Sequence, residues 1–193
     1  MASSSAVDAP LVISEDPPDA AVDTVARPGT AATIASVLMG VAWASVGLGL
    51  VIGFNQLATQ SPIDAVLPVA LFSVGIAGVA TMLAASLDPF AAHGPERALF
   101  EPPPAEEGFL QFGIGLAAVA AVGWRWGTVA QAALVGAYGL HQLLVAELGV
   151  VSLLRRGRPE PDALRIGLSG AVGVLLVAFA WSALSDAGVS PFG

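Results

Sequence analysis

Residues 30–54 read TAATIASVLMGVAWASVGLGLVIGF, a stretch that contains no charged side chain. An α-helix rises about 1.5 Å per residue, so roughly 20 apolar residues cross the hydrocarbon core of a bilayer, which is about 30 Å thick. The stretch therefore predicts a membrane-spanning helix that begins near Thr30 and ends near Phe54.

Four more stretches of the same kind follow this one. Of the 193 residues, 55% are hydrophobic and only 11% are charged, which separates the chain from soluble globular proteins. We therefore predict an all-α, polytopic transmembrane helical bundle over residues 30–186, with about five spans. Beyond 30–54, the predicted spans cover residues 62–87, 108–124, 128–154 and 162–184.

The predicted spans are flanked by polar segments that carry most of the charge. Residues 1–29 hold five acidic residues and one arginine, Arg27, and we predict a disordered acidic tail. Residues 187–193 are predicted to form a short extracytoplasmic tail. The net charge of −8 makes nucleic acid an unexpected partner, and the absence of cysteine excludes disulfides and thiolate metal sites.

The distribution of arginine predicts the orientation of the bundle. With the N-terminus in the cytoplasm, Arg125 alone faces outward, which is the asymmetry of the positive-inside rule. All seven basic residues are arginine, a composition that suggests a prokaryote with a GC-rich genome and location in its plasma membrane. The inward-facing arginines are Arg27, Arg97, Arg155, Arg156, Arg158 and Arg165.

Several short motifs mark the ends of the spans. Residues 55–61 are predicted to form a polar turn, after which Ser61 caps a helix that has Pro62 at its first position and Asp64 in its first turn. The sequence Trp124-Arg125-Trp126 is typical of an interfacial anchor at a tight turn. After the fourth span, Arg155, Arg156 and Arg158 lie at the negative end of the helix.

The connection between the second and third spans contains Pro102-Pro103-Pro104, which favours an extended conformation. This loop is interpreted either as a spacer or as a docking segment for a cytoplasmic partner. Glu106 and Glu107 are expected at the positive end of the third span.

Small residues recur on two of the predicted helices. Ser45, Gly49 and Gly53 are spaced by four, and such a stripe allows another helix to approach closely, either within the bundle or in a dimer. Gly167, Gly170 and Gly173 likewise leave one face of the fifth span without bulky side chains, so another helix can approach it closely. The predicted packing residues are Ser45, Gly49, Gly53, Gly167, Gly170 and Gly173.

Few polar residues fall inside the spans. A polar side chain in the hydrocarbon core is unfavourable in free energy, so each of these residues is expected to have a structural or functional role. Gln111 and His141 are equally far along the chain from the turn at Trp126, and His141 and Ser169 are equally far from Arg155. The three side chains are therefore predicted to share one level, with Glu147 about 9 Å nearer the cytoplasm. The cluster is interpreted as a polar relay or as a single interhelical hydrogen bond.

Two fragments resemble rhomboid intramembrane proteases. Gly167-Leu168-Ser169-Gly170 resembles the Gly-x-Ser-Gly motif of that family, and Trp124-Arg125 resembles a pair in its first luminal loop. The resemblance implies a serine nucleophile at Ser169. In the family the histidine follows the serine on a later helix, whereas here His141 precedes Ser169.

We expect no metal or cofactor, because His141 and Glu147 are six residues apart and about 120° apart around a helix. A bis-histidine haem would require His93, which lies in a predicted loop. The preferred hypothesis is a non-catalytic accessory or structural subunit of a larger membrane complex, in contact with lipid and with other subunits. The alternatives are a small transporter or channel that uses Gln111, His141 and Glu147, and a serine hydrolase built on Ser169.

Overall fold

The computed structural model describes residues 29–87, 99–156 and 162–189. The predictions for the acidic tail over residues 1–28, for the last four residues, and for His93, Arg97 and Arg158 lie outside the described residues.

Five helices account for nearly all of the described chain, and no strand occurs in these three ranges. Each helix is long and apolar enough to cross a membrane. The prediction of an all-α bundle with five spans is confirmed, and the fold is compatible with a small multi-pass integral membrane protein. The helices are α1 (Thr30–Thr59), α2 (Pro62–Leu87), α3 (Ala105–Gly123), α4 (Thr128–Arg156) and α5 (Asp162–Asp186).

The helices alternate in direction, which gives the bundle two ends. We call the end where α1, α3 and α5 begin the proximal end, and the end where they finish the distal end. The positive-inside rule predicts that the proximal end lies in the cytoplasm, and that assignment stays a prediction.

Helix α2 is the central helix, because it packs against each of the other four. Its middle section, Val69–Ile76, is π-helical and follows Pro68, which has no backbone N–H to donate. Within this wider section the hydroxyl of Ser73 is fully buried and donates a 3.0 Å hydrogen bond to the Val46 carbonyl of α1. Helix α1 is thus tied to α2 by polar as well as apolar contacts.

The predicted polar turn over residues 55–61 is wrong for most of its length. Helix α1 continues to Thr59, whose hydroxyl donates to the Asn55 carbonyl at 2.7 Å. No glycine or proline interrupts residues 55–59, so the helix ends only at Gln60. The predicted cap at Ser61 is confirmed, since its hydroxyl oxygen accepts from the Asp64 backbone N–H at 3.3 Å.

Helix α3 begins three residues before its predicted start. Pro104 occupies the N-cap position, and Glu106 and Glu107 lie in the first turn as predicted. The 19 residues of α3 extend for about 28 Å, which is close to the thickness of the hydrocarbon core.

The small-residue stripe of α1 packs inside the bundle. A Cβ atom at Gly49 would meet the side chain of Ser73 and its backbone nitrogen at 2.9 Å, and one at Gly53 would lie 2.5 Å from Val69. Ser45 is buried on the same face.

The glycines of α5 differ in how closely they pack. Gly173 abuts α4, because a Cβ atom added there would lie 2.9 Å from the Gly139 carbonyl oxygen. One at Gly170 would make ordinary contact with Ala146, and one at Gly167 would meet nothing within 4 Å. Only part of the predicted α5 stripe therefore contacts another helix.

The closest backbone approach joins α2 and α3 and was not predicted. A Cβ at Gly78 would collide with the Gln111 carbonyl oxygen and lie 3.1 Å from the Gly115 Cα. Because both obstacles are backbone atoms, neither can move without shifting a helix. This contact holds Gln111 against the centre of the bundle.

The turn between α3 and α4 is built by Trp124, Arg125 and Trp126, all exposed at the distal end. The two indole rings stack with centroids 6.1 Å apart. Arg125 has a φ of 53°, in the left-handed region that non-glycine residues rarely adopt. At the opposite end, Arg155 is exposed near the end of α4, where Arg156 is the final helical residue.

Candidate functional site

Gln111 is the centre of a polar network in the proximal half of the bundle. Its Nε2 donates to Glu107 Oε1 at 3.3 Å and lies 3.5 Å from His141 Nε2. Its Oε1 accepts from the Tyr138 hydroxyl at 3.4 Å. These distances are at the long end of the hydrogen-bond range, so each contact alone is weak. Together they join α3 to α4 through one buried amide.

The contacts of Gln111 fix the chemical roles of its neighbours. An amide nitrogen can only donate, and the opposite amide orientation would place two acceptor oxygens against each other at Glu107. His141 Nε2 is therefore the acceptor in its contact with the Gln111 amide nitrogen. In this arrangement Gln111 uses both N–H donors and its oxygen.

A small cavity lies beside this network and is lined by residues of all five helices. Its volume is about 40 Å³, which is room for a few water molecules. Two acids and one base, Glu101, Glu107 and Arg165, line it together with the neutral polar side chains of Thr81, Gln111, Tyr138, Gln142 and Ser169. Each of the three charged residues also engages at least one partner in the protein. The cavity thus combines both signs of charge at the proximal end of an apolar bundle.

The connection that precedes α3 folds back over the cavity. The indole Nε1 of Trp43 donates to the Leu99 carbonyl at 3.0 Å, and Glu101 and Pro103 line the cavity itself. Pro102 and Pro103 are buried. In the structure the proline run therefore packs against its own bundle, and its role in binding a cytoplasmic partner stays a prediction.

The predicted polar cluster is brought together in part. Gln111 and His141 meet, and Ser169 is buried and lines the same cavity as Gln111. Glu147 is exposed on α4 and does not line the cavity. The carboxylate beside Gln111 belongs instead to Glu107. Counting along the chain predicts depth but not the direction in which a side chain points, so a role for Glu147 with the other three residues stays a prediction.

Ser169 and His141 share no hydrogen bond among the described residues. A serine nucleophile needs its base within hydrogen-bonding reach, so the pairing implied by the rhomboid resemblance is not made in this conformation. Within the three described ranges, no three His, Asp or Glu side chains converge as a metal site requires.

Sequence reasoning missed three buried polar residues of α4, of which Tyr138 and Gln142 line this cavity, and one signal could have found all three. On α4, Gln131, Tyr138 and Gln142 are spaced by seven and four, which places them on one helix face. All three are buried, and Val135 fills the same face between the first two. Polar residues repeated on one face of an otherwise apolar helix predict that this face is turned inward.

No protein-family model, curated protein or solved structure matched the chain. The evidence for its function therefore comes from its own surfaces and cavities.

Proposed function

We propose that the protein is a non-catalytic accessory subunit of a larger membrane complex in the plasma membrane of a prokaryote, a source that its use of arginine for all seven basic residues supports. The observation that supports this proposal is a second small-residue face on α1, which points away from the bundle. We call it the outer face of α1, and it comprises Thr33, Ser36, Gly40, Ala44 and Gly47.

The outer face of α1 lies nearly opposite the side that packs on α2. Its residues are spaced by three or four, so they align along the helix. A Cβ atom at Gly40 or Gly47 would meet nothing within 4 Å, in contrast to the crowded positions of Gly49 and Gly53. The inner stripe is thus occupied within the bundle, and the outer one is available.

Small residues matter in lipid because helices there gain little from the hydrophobic effect. Association depends on close van der Waals packing, which a row of Gly, Ala and Ser permits. A helix surface that contacts only lipid does not require a row of small residues. The neighbouring exposed positions of α1 carry larger side chains, such as Leu48 and Val51. The occupant we propose is a transmembrane helix of a different subunit.

Site-specific photocrosslinking tests the proposal. A crosslinking residue at Ser36 is expected to yield one discrete adduct with another membrane protein, whereas one at Leu144, exposed on α4, yields none. The adduct should disappear in Gly40→Leu and persist in Gly113→Leu, a matched change at an equally open position on α3.

Two results would overturn this function. One is an adduct that contains a second copy of the chain and no other protein. The other is the same adduct pattern from Ser36 and from Leu144.

A second candidate, proton transport, is favoured by two groups that can take up and release a proton, Glu107 and His141, which the Gln111 amide nitrogen contacts on either side. Fully buried Val135 separates Tyr138 from Gln131, so the apolar layer between them would have to open during transport. In proteoliposomes this function predicts a proton flux that Gln111→Leu abolishes and Glu147→Gln leaves unchanged. A flux that survives Gln111→Leu would remove the network from the mechanism.

A further inference from the structure

A second cavity opens at the distal end, far from the Gln111 network. Its volume is about 480 Å³, within the range of roughly 300–1,000 Å³ that is typical of ligand sites. We call it the distal groove. Its lining includes Gln56 on α1, Ile63, Asp64 and Leu67 on α2, and Arg125 in the turn before α4.

Two charges of opposite sign line the distal groove. The Asp64 carboxylate accepts a 2.8 Å hydrogen bond from the Ser61 hydroxyl through Oδ2, which leaves acceptor capacity on the carboxylate. The guanidinium of Arg125 makes no hydrogen bond or ion pair with the described residues. Arg125 also holds a left-handed backbone conformation, which places this cation at the groove.

The side chain of Gln56 gives independent evidence that a hydrogen-bond donor binds near the groove. Its Oε1 is buried and has no donor among the described residues. An acceptor that is buried without a donor is unfavourable, and such groups in folded proteins call for an explanation. Because the terminal amide torsion of glutamine is soft, a modest rotation presents this oxygen to a donor in the groove.

The wall of the groove continues into the lipid-facing surface. Ile63 and Leu67 are one helical turn apart on α2, and they are 36% and 45% exposed. Leu67 lies farther from the distal end than Ile63, so the two side chains form an apolar track that leads from the groove toward the bilayer centre. Trp124 and Trp126, the exposed neighbours of Arg125 in the sequence, are typical of the membrane interface.

We propose that the distal groove binds a phosphate ester that carries a primary ammonium group, namely phosphoethanolamine as the headgroup of a phospholipid. Arg125 takes the phosphate, Asp64 and the Gln56 oxygen accept from the ammonium, and one acyl chain lies along Ile63 and Leu67. An arginine fork suits phosphate oxygens, and an ammonium supplies the N–H donor that Gln56 lacks.

The same chemistry predicts which headgroups are rejected. Choline has no N–H donor for Gln56 or Asp64, and a glycerol headgroup has no cation for Asp64. A serine headgroup adds a carboxylate, which the acid repels.

Native mass spectrometry of the detergent-solubilised full-length protein tests the site. Dioleoyl phosphatidylethanolamine is expected to bind at least about tenfold more tightly than the choline, glycerol or serine phospholipids with the same chains, the change that one charge-assisted hydrogen bond provides. Arg125→Gln and Asp64→Asn should each abolish that preference. The matched changes Arg155→Gln and Glu147→Gln, at exposed charges outside the groove, should preserve it.

A further variant separates binding from folding. Gln56→Met replaces the buried acceptor by an apolar side chain of similar size, so the melting temperature should rise while the ethanolamine preference falls. Free phosphoethanolamine without acyl chains is tested alongside. If it binds as tightly as the lipid, the headgroup chemistry is upheld and the ligand is soluble. Equal binding of all headgroups, or a preference that survives both charge variants, would overturn the proposal.

Discussion

The indole nitrogen of Trp43 donates a 3.0 Å hydrogen bond to the carbonyl oxygen of Leu99, a residue 56 positions later in the chain. This bond joins the middle of α1 to the connection that precedes α3. Because Glu101 and Pro103 of that connection line the cavity beside Gln111, the bond also holds this part of the chain against the cavity.

Trp43→Phe removes the donor and keeps an aromatic ring. We expect the connection to open more often, since a single hydrogen bond of this kind contributes roughly 0.5–1.5 kcal/mol to stability. A cysteine placed at Pro103, in a chain that has no other, should then react several-fold faster with a maleimide. Trp126→Phe at the distal end is the control, and an equal acceleration in both variants would show that the Trp43–Leu99 bond does not hold the connection in place.

Gly78→Ala should be one of the most damaging small changes. The added methyl group meets the backbone of Gln111 and Gly115, and overpacking of this kind costs about 1–3 kcal/mol. Reversible unfolding in mixed micelles measures the loss. Gly113→Ala on α3, where nothing lies within 4 Å, should be neutral or slightly stabilising because alanine favours the helix. Equal stability of the two variants would contradict the close approach of α2 and α3.

The Gln111 network predicts energetic coupling between α3 and α4. Gln111→Leu and His141→Leu should each lower the free energy of unfolding of the bundle. In the double variant the decrease should be smaller than the sum of the two single decreases by about 0.5 kcal/mol or more. The same cycle between Gln111 and Glu147 should give additive losses, because Glu147 lies outside the network. Additivity in the first cycle would mean that the 3.5 Å contact between Gln111 and His141 is energetically silent.

Ser73→Ala tests the polar contact made by the π-helical section. Loss of the bond to the Val46 carbonyl should cost about 0.6–1 kcal/mol, a value typical of interhelical hydrogen bonds in membrane proteins. Ser86→Ala is the matched control, since the Ser86 hydroxyl bonds within its own helix to Met82 and is exposed. Equal losses would show that the contact between α1 and α2 adds no stability.

The sequence predicts the number of helices and most of their ends, because uncharged runs, Ser61 and the prolines are local signals. It does not predict the end of α1, since Asn55 and Gln56 are polar yet compatible with a helix. The π-helical section of α2 could not be predicted either, because Pro68 indicates that the α-helix is irregular there without indicating a π-helix.

For the candidate site, the sequence predicts how deep each residue lies in the membrane, but not the direction in which its side chain points. Equal distances along the chain place Gln111 and His141 at one level, and they do meet. Whether Glu147 or Glu107 completes the cluster depends on how α3 and α4 rotate about their axes, which is set by packing such as the Gly78–Gly115 contact. The partner of Gln111 could therefore be identified only from the folded bundle.

Every proposal above depends on five helices that cross the membrane in alternating directions, and the positive-inside rule predicts that the proximal end lies in the cytoplasm. Single cysteines in the otherwise cysteine-free chain, probed with a membrane-impermeant maleimide in spheroplasts, test this directly. We predict that cysteines at Ser61 and Trp126 react in intact spheroplasts and that one at Arg155 reacts only after permeabilisation. Labelling of Arg155→Cys from outside, or equal labelling of all three positions, would contradict it.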